Sequence, residues 1–324
     1  METKTNYIRG TLGQNYDEYN RILQTAQTNP EILKDDNVEA KINFFLRINE
    51  RLAYSVGLPY GSFLVQFNDT LNKLFIYYCT ETENQVEAHG KLVLNYLTVK
   101  RMKTISKEIL KLYNTYIGRS SISNITEANS VIDSFVLPLV NFLPTFSKAI
   151  PEVKEAEFLN LLTTIFEKLN IALKPELVST SLSSVFYSTL AMITTDFNSF
   201  PEHRTNFFAL LKSIIKYNFQ QLYNMPEDKF HTIMNCIVWS IKHELSTFSD
   251  LGLDLLYDTL QNLTSSIEIM NIFYGRYFLS LLRDLFEVLT DGFHKSGFKL
   301  QCRILFCMCK VLTSGFVTYF VNGS

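Results

Sequence analysis

The sequence predicts an all-α fold, an α-solenoid of HEAT-like antiparallel helix pairs that spans residues 1–324 as a single domain. Apolar-periodic segments of roughly 15 to 20 residues alternate with short breaks, and no well-separated strand-like alternation occurs. Several segments, such as YFLSLLRDLFEVLT, are apolar around much of their circumference and need neighbours on two sides. Helix pairs repeating about every 40 to 50 residues supply those neighbours. A compact all-α bundle is the alternative fold, although it would need longer-range closure.

The predicted helices follow one another along the whole chain, and their ranges are 16–27, 37–56, 59–79, 86–99, 101–117, 128–147, 155–169, 175–195, 200–221, 227–245, 249–263, 267–289 and 296–313. Proline or glycine occupies the breaks, for example at Pro175, Pro201, Pro226 and Gly292. The twelve glycines and eight prolines are spread evenly, so the sequence indicates no linker and no internal domain boundary.

Composition and charge limit the classes of partner. Hydrophobic residues make up 47% of the chain and charged residues 19%, which is enough apolar surface for a large core. A formal net charge of -2 gives no global attraction to nucleic acid or to an anionic membrane. The first thirty residues hold no apolar run of signal-peptide length, and no run of about 18 uncharged apolar residues occurs anywhere. We therefore expect an intracellular protein without membrane insertion and without direct nucleic-acid binding.

The cysteines favour reduced thiols over a disulfide framework. Five cysteines, an odd number, are scattered through apolar segments at Cys79, Cys236, Cys302, Cys307 and Cys309. The last three lie at i, i+5 and i+7 on one predicted helix, where cysteine usually behaves as a small buried hydrophobe. The sequence therefore predicts neither a metal site nor a cofactor.

Sequence motifs of the common enzyme classes are missing. The chain lacks the phosphate-binding G-x-x-x-x-G-K-[ST] loop, G-x-G-x-x-G, the G-x-S-x-G elbow and H-E-x-x-H. His203 and Arg204 could form an acid-base pair, but general acid-base catalysis needs a pocket and an orienting third group. The protein is therefore not expected to be an enzyme. Trp239, which lies beside Ile237 and Val238, is expected in the core.

The segment PEHR, Pro201 to Arg204, has the features of a helix start. Proline is tolerated at the first helical position, and Glu202 complements the positive end of the helix dipole. Phe207 and the apolar residues after it follow at helical spacing. We therefore expect Pro201, Glu202, His203 and Arg204 to act structurally.

A basic stripe is the strongest candidate for a partner-binding surface. In KRMKTISKEILK, Lys100, Lys103, Lys107 and Lys111 fall at i, i+3, i+7 and i+11, on one face of a predicted helix. A solvated helix face is one interpretation. The other is that these four lysines, hereafter the basic stripe, meet an acidic partner on the concave side of the solenoid. RNA binding fits less well, because aromatic interleaving and a basic pI are lacking.

Several blocks resemble a known family. DFNSFPEHRTNFFALLKS, FHTIMNCIVWSIKHELSTFSDLGLDLLYDTLQN and FYGRYFLSLLRDLFEVLTDGFHKSGFKLQCRIL resemble successive segments of the C-terminal half of the exportin-1 family. ILQTAQTNPEILKDDNVEAKINFFLRINERLAYSVGLPY and TISKEILKLYNTYIGRS match upstream blocks in the same order. These receptors belong to the importin-β superfamily and carry leucine-rich export-signal cargo out of the nucleus with the GTPase Ran. The resemblance runs from about residue 14 to residue 315.

The resemblance implies a role in nuclear export. It implies the GTP form of Ran, export cargo and nucleoporins as partners through the complete receptor, and shuttling between nucleus and cytoplasm. The family's N-terminal Ran-binding repeats, acidic loop and central cargo groove would lie upstream of Met1, and its last helices and acidic tail beyond Ser324. The chain would then be a piece of a receptor or a divergent short paralogue. The alternative is a stand-alone helical-repeat scaffold that binds another protein.

Overall fold

The computed structural model describes residues 122–137, 139–140, 156–195 and 199–313, together with positions 21, 25, 107, 110, 114, 117 and 118. The chain comprises two compact units, Met1–Phe207 and Phe208–Ser324, which are described separately. The division falls between Phe207 and Phe208, inside a helix, where the sequence pattern indicated no boundary. A single solenoid domain over residues 1–324 therefore stays a prediction.

The described part of the first unit is largely helical. Its elements are α1 (Ile125–Val131), which continues into a π-helical turn (Ile132–Val136), α2 (Glu157–Lys168), α3 (Pro175–Ser181), a second π-helical turn (Leu182–Phe186), α4 (Tyr187–Thr195) and the start of α5 (Pro201–Tyr217). The Asn124 side chain caps α1 by accepting a hydrogen bond from the Glu127 amide. Proline is the first residue of both α3 and α5, as predicted.

Apolar side chains of α1 to α5 contribute to the core of the first unit. Phe158 and Phe166 of α2 are fully buried, and the rings of Phe186 and Phe207 pack with centroids 4.8 Å apart. Asn206 Nδ2 donates a hydrogen bond of 2.9 Å to the Ala156 carbonyl, which ties the start of α5 to the start of α2. This contact joins residues that are 50 positions apart.

One segment of the first unit has the character of a membrane span. Pro175–Thr195, which comprises α3, the second π-helical turn and α4, is long and apolar enough to cross a membrane by length and composition. Half of it is buried inside the protein, and core helices of globular proteins have the same character. The expected absence of membrane insertion stays a prediction.

The second unit continues α5 and adds the remaining helices. These are α6 (Phe219–Tyr223), α7 (Glu227–Ile241), α8 (Ser246–Leu263), α9 (Ile267–Thr290), a 3-10 helix (Gly292–Gly297) and α10 (Phe298–Thr313). The Ser266 hydroxyl caps α9 by accepting from the Ile269 amide. The described residues of both units contain helices and no strand, so the predicted all-α class is confirmed.

The helices of the second unit form two layers with a regular offset. Polar contacts join α7 to α9 in one layer and α8 to α10 in the other, and the order of the contacts makes each pair parallel. In the α8–α10 layer, hydrogen bonds join Asp250 to Ser296 and Tyr257 to Arg303, and both pairs are 46 positions apart. In the first unit, Thr164 bonds to Asn114 over 50 positions. These offsets agree with the predicted repeat of helix pairs.

A buried polar network joins the 3-10 helix to its neighbours. The ring of His294 is buried, with Nε2 3.2 Å from the His243 carbonyl oxygen and Nδ1 3.1 Å from Asp291 Oδ2. Gln301 Nε2 donates a hydrogen bond of 3.1 Å to the His294 carbonyl. The network therefore fixes the turn between α9 and α10 against the end of α7.

Two burial predictions for this unit are wrong. Trp239 is 37% exposed, since the buried face of α7 is formed by residues such as Phe230, Ile233 and Ile237. Its ring packs edge-on against His243 and Phe248. Cys302 and Cys309 are also exposed, and Cys307 is half-buried. These cysteines are not in the core because Gln301, Ile304 and Met308, at i, i+3 and i+7, form the buried face of α10. Cys236 is buried, as expected.

Candidate partner-binding site

The residues of PEHR lie on the first turn of α5. Pro201 and Glu202 are exposed, whereas His203 and Arg204 are half-buried. The His203 ring packs edge-on against Phe200, with centroids 5.7 Å apart, and the Arg204 amide donates to the Phe200 carbonyl. Burial lowers the pKa of the Arg204 guanidinium. The structure begins α5 at Pro201, as the sequence predicts, and a purely structural role for the four PEHR residues stays a prediction.

One lysine of the basic stripe is described, and it contacts its own chain. Lys107 is exposed, and its Nζ lies 3.3 Å from Oε1 of Glu157, the first residue of α2. Lys100, Lys103 and Lys111 lie outside the described residues. Part of the charge of the basic stripe is therefore already matched by a carboxylate of the same chain, and an acidic partner for it stays a prediction.

Charged groups link α7 and α9 along their length. Lys242 Nζ lies 2.8 Å from Asp284 Oδ1 and 2.7 Å from Glu287 Oε2. The hydrogen bond to Asp284, and then that to Glu287, raises the pKa of Lys242. At the other end of α7, Arg276 Nη2 lies 2.9 Å from Glu227 Oε1. These groups hold the two helices in register.

A solvent-exposed face of α9 carries a stripe of apolar side chains. Ile272, Leu279 and Phe286 are spaced seven residues apart and are each between 50% and 69% exposed. We call these three residues the α9 stripe. Their spacing places them on one face of the helix, and apolar faces of this kind are normally covered by another helix. The sequence indicated this exposed apolar face, because the segment YFLSLLRDLFEVLT is apolar around much of its circumference and was predicted to need neighbours on two sides.

Metal binding finds no support in the part of the chain that the structure describes. There, His, Cys, Asp and Glu side chains form no group of three or more that could hold a metal ion. His231 lies parallel to the ring of Tyr277, with centroids 5.9 Å apart, and the buried Cys236 has its pKa raised to about 12 by burial. A thiol with so high a pKa is neutral at neutral pH and is a poor nucleophile or ligand.

Comparison with known proteins gives one consistent result. The family described as CRM1 C terminal matches residues 63–322. The chain is 34% identical over 301 residues to exportin-1 of Schizosaccharomyces pombe and 32% identical over 298 residues to exportin-1 of Dictyostelium discoideum, with 92% of this chain covered in both cases. Protein EXPORTIN 1B of Arabidopsis thaliana is 30% identical over 311 residues, or 95% of this chain.

The match covers most of this chain but a minor part of each relative. The chain spans 27% of the two exportin-1 proteins and 28% of the Arabidopsis protein. Because the family match runs over residues 63–322 of 324, the chain belongs to the CRM1 C-terminal family.

Proposed function

We propose that this chain is the C-terminal helical-repeat portion of a nuclear export receptor and takes part in Ran-GTP-dependent export of leucine-rich export-signal cargo. The main support for the proposal is the match to exportin-1 proteins over 92–95% of the chain. Its role is binding rather than catalysis, and it shuttles between nucleus and cytoplasm as part of the receptor. Ran in its GTP form, cargo and nucleoporins are its partners through that receptor.

The packing of the helices supports a role inside a larger helical array. Contacts at offsets of 42 to 50 positions join α5 to the start of α2, α5 to α8, and α8 to α10, as expected where each helix pair packs on the next pair. The α9 stripe provides a further apolar face for such packing. A scaffold of this kind holds binding surfaces at fixed distances, which suits a receptor that must respond to two partners at once.

The proposal is tested with a chimera. In exportin-1 of Schizosaccharomyces pombe, the segment aligned with this chain is replaced by this chain. Binding of a fluorescein-labelled leucine-rich export peptide is then measured by anisotropy with Ran-GTP or Ran-GDP. We expect the chimera to bind the peptide in the presence of Ran-GTP only.

Two matched controls separate folding from function. A chimera carrying Phe207→Asp, which places a charge in the core, should lose binding together with its cooperative unfolding. The chain alone should not bind the peptide, because the family resemblance implies a cargo groove in other repeats of the receptor. Tight peptide binding by the chain alone would contradict the proposed function. Peptide binding by a folded chimera that is the same with Ran-GTP and Ran-GDP would also contradict it, and either result would favour a stand-alone scaffold.

A further inference from the structure

A cleft of about 510 Å³ lies in the second unit among α8, α9 and α10. Its walls are largely apolar and include Leu260 of α8, Met270 of α9 and Val311 of α10. A cavity of this size and composition is in the range of ligand-binding sites. Its lining side chains come from three helices and none belongs to the basic stripe or to PEHR, so it is distinct from the candidate sites above.

The charged side chains among the described residues of the cleft are positive. Arg303 and Lys310, seven residues apart on α10, line it, and none of the lining residues that the structure describes is Asp or Glu. The Arg303 guanidinium donates a hydrogen bond of 3.0 Å to the Tyr257 hydroxyl and lies 4.8 Å from the centroid of that ring. Its position is therefore fixed by a neutral partner, so its charge is available to an anion that enters the cleft.

Two of the apolar side chains that line the cleft are exposed to solvent. Phe306 of α10 is 69% exposed, and Ile267 of α9 is 55% exposed, although both line the cleft. A small molecule inside the cavity would leave much of these two side chains in water. An occupant that extends over both of them would remove that apolar area from solvent.

We propose that this cleft binds an acidic peptide segment of a partner protein. The segment inserts a large apolar side chain between Phe306 and Ile267 and places carboxylates against Arg303 and Lys310. The apolar lining selects the inserted side chain, and the two cations select its acidic neighbours. This docking site is additional to the proposed export function and does not depend on it.

The cleft contains its own reporter group. Cys307 lines it, with Sγ 3.5 Å from Gln261 Nε2. Cys302 and Cys309 are exposed on the same helix and do not line the cleft, and Cys236 is buried elsewhere. An occupant should therefore slow alkylation of Cys307 and leave that of Cys302 and Cys309 unchanged.

The experiment uses the full chain and a fluorescein-labelled peptide of sequence Asp-Glu-Phe-Leu-Asp-Glu. Anisotropy measures binding, and mass spectrometry follows iodoacetamide labelling of each cysteine. We expect saturable binding that weakens as salt rises, with Cys307 labelling slowed at least about fivefold in the complex. The double variant Arg303→Gln/Lys310→Gln should weaken binding about tenfold or more, since each charge-assisted contact is lost. Lys299→Gln, a matched change of an exposed cation outside the cleft, should leave binding unchanged.

Three outcomes would overturn the proposal. The first is equal affinity for the amide peptide Asn-Gln-Phe-Leu-Asn-Gln, which would remove the role of charge. The second is protection of Cys307 by decanoate but not by the acidic peptide, which would assign the cleft to a small amphipathic anion. The third is no change in Cys307 labelling at saturating concentrations of either probe. Circular dichroism and thermal unfolding show whether each variant is folded, so a loss of binding in a folded double variant supports the proposal.

Discussion

Gly252 of α8 lies against the backbone of Ile241 at the end of α7, so close that a Cβ atom at Gly252 would lie 2.7 Å from the Ile241 nitrogen. Hydrogen bonds from two buried hydroxyl groups stabilise this close contact between α7 and α8. Ser240 Oγ donates to the Phe248 carbonyl at 2.8 Å, and Ser249 Oγ donates to the Ile241 carbonyl at 2.7 Å. The antiparallel packing of α7 and α8 therefore depends on a residue without a side chain at position 252.

Gly252→Ala should destabilise the protein, because the added methyl group has no room beside the Ile241 backbone. Overpacking of this kind costs about 1 to 3 kcal/mol, which over most of that range is larger than the helix-propensity gain of about 1 kcal/mol. Gly275→Ala on α9 is the matched control, since a Cβ atom there would meet nothing within 4 Å and should stabilise the helix. Urea unfolding measures both changes. Equal stabilisation by the two substitutions would show that α7 and α8 do not approach so closely.

Phe207→Ala should cost about 3 to 5 kcal/mol of unfolding free energy, because the ring is 1% exposed and packs on Phe186. His203→Gln, one turn earlier on the same helix, should cost far less, since His203 is half-buried and makes an edge contact with Phe200. Thermal denaturation of the two variants provides the comparison. A larger loss of thermal stability for His203→Gln than for Phe207→Ala would show that PEHR forms a buried polar site.

Lys242 should contribute to stability in a pH-dependent manner. Its pKa is raised in the folded protein, so its contribution is present below its ordinary value of 10.5 and is lost as pH rises through the folded value. Lys242→Met should therefore cost about 0.5 to 1 kcal/mol at about pH 8, and the difference from the parent should shrink as the pH rises through the raised pKa of Lys242. Lys299→Met, which removes an exposed lysine of α10, is the matched control for the loss of one positive charge. A pH-independent cost for Lys242→Met would contradict the ion pairs with Asp284 and Glu287.

The basic stripe should assist binding of Ran-GTP by the chimeric receptor. Because Lys107 contacts Glu157, the informative variant changes Lys100, Lys103 and Lys111 to Glu and leaves Lys107 in place. Exposed charge contacts are worth about 0 to 1 kcal/mol each, so the triple variant should weaken Ran-GTP binding by about tenfold and reduce its salt dependence. Titrations at low and moderate salt measure this. Unchanged affinity and salt dependence in a folded variant would identify the stripe as a solvated helix face.

The class of the fold and many helix starts could be predicted from the sequence, because local chemistry determines them. Proline is the first residue of α3 and α5 in the structure, as its missing amide hydrogen allows. The boundary between α7 and α8 was less predictable. α7 ends at Ile241 and α8 begins at Ser246, whereas the pattern predicted 245 and 249. Tertiary hydrogen bonds of Ser240 and Ser249 fix that turn, and periodicity does not report them.

The docking cleft could not be predicted from the sequence. Arg303 and Tyr257 are 46 positions apart, and their contact depends on how α8 and α10 lie beside each other. The periodicity of one helix shows on which face a residue lies. It does not show which faces of different helices pack together or where a cavity remains between them. The exposure of Trp239 has the same origin, because an apolar residue in an apolar segment is outside the core when its face of the helix is not covered.

The central claim, that this chain serves as the C-terminal part of a nuclear export receptor, is tested most directly in cells. Exportin-1 of Schizosaccharomyces pombe is replaced by the chimera that carries this chain, and the nuclear-to-cytoplasmic ratio of a fluorescent reporter with a leucine-rich export signal is measured. We expect the reporter to be cytoplasmic, as with the parent receptor, and a reporter with a mutated signal to enter the nucleus. Nuclear accumulation of the intact reporter, with the chimera folded and present at the parental level, would contradict the claim.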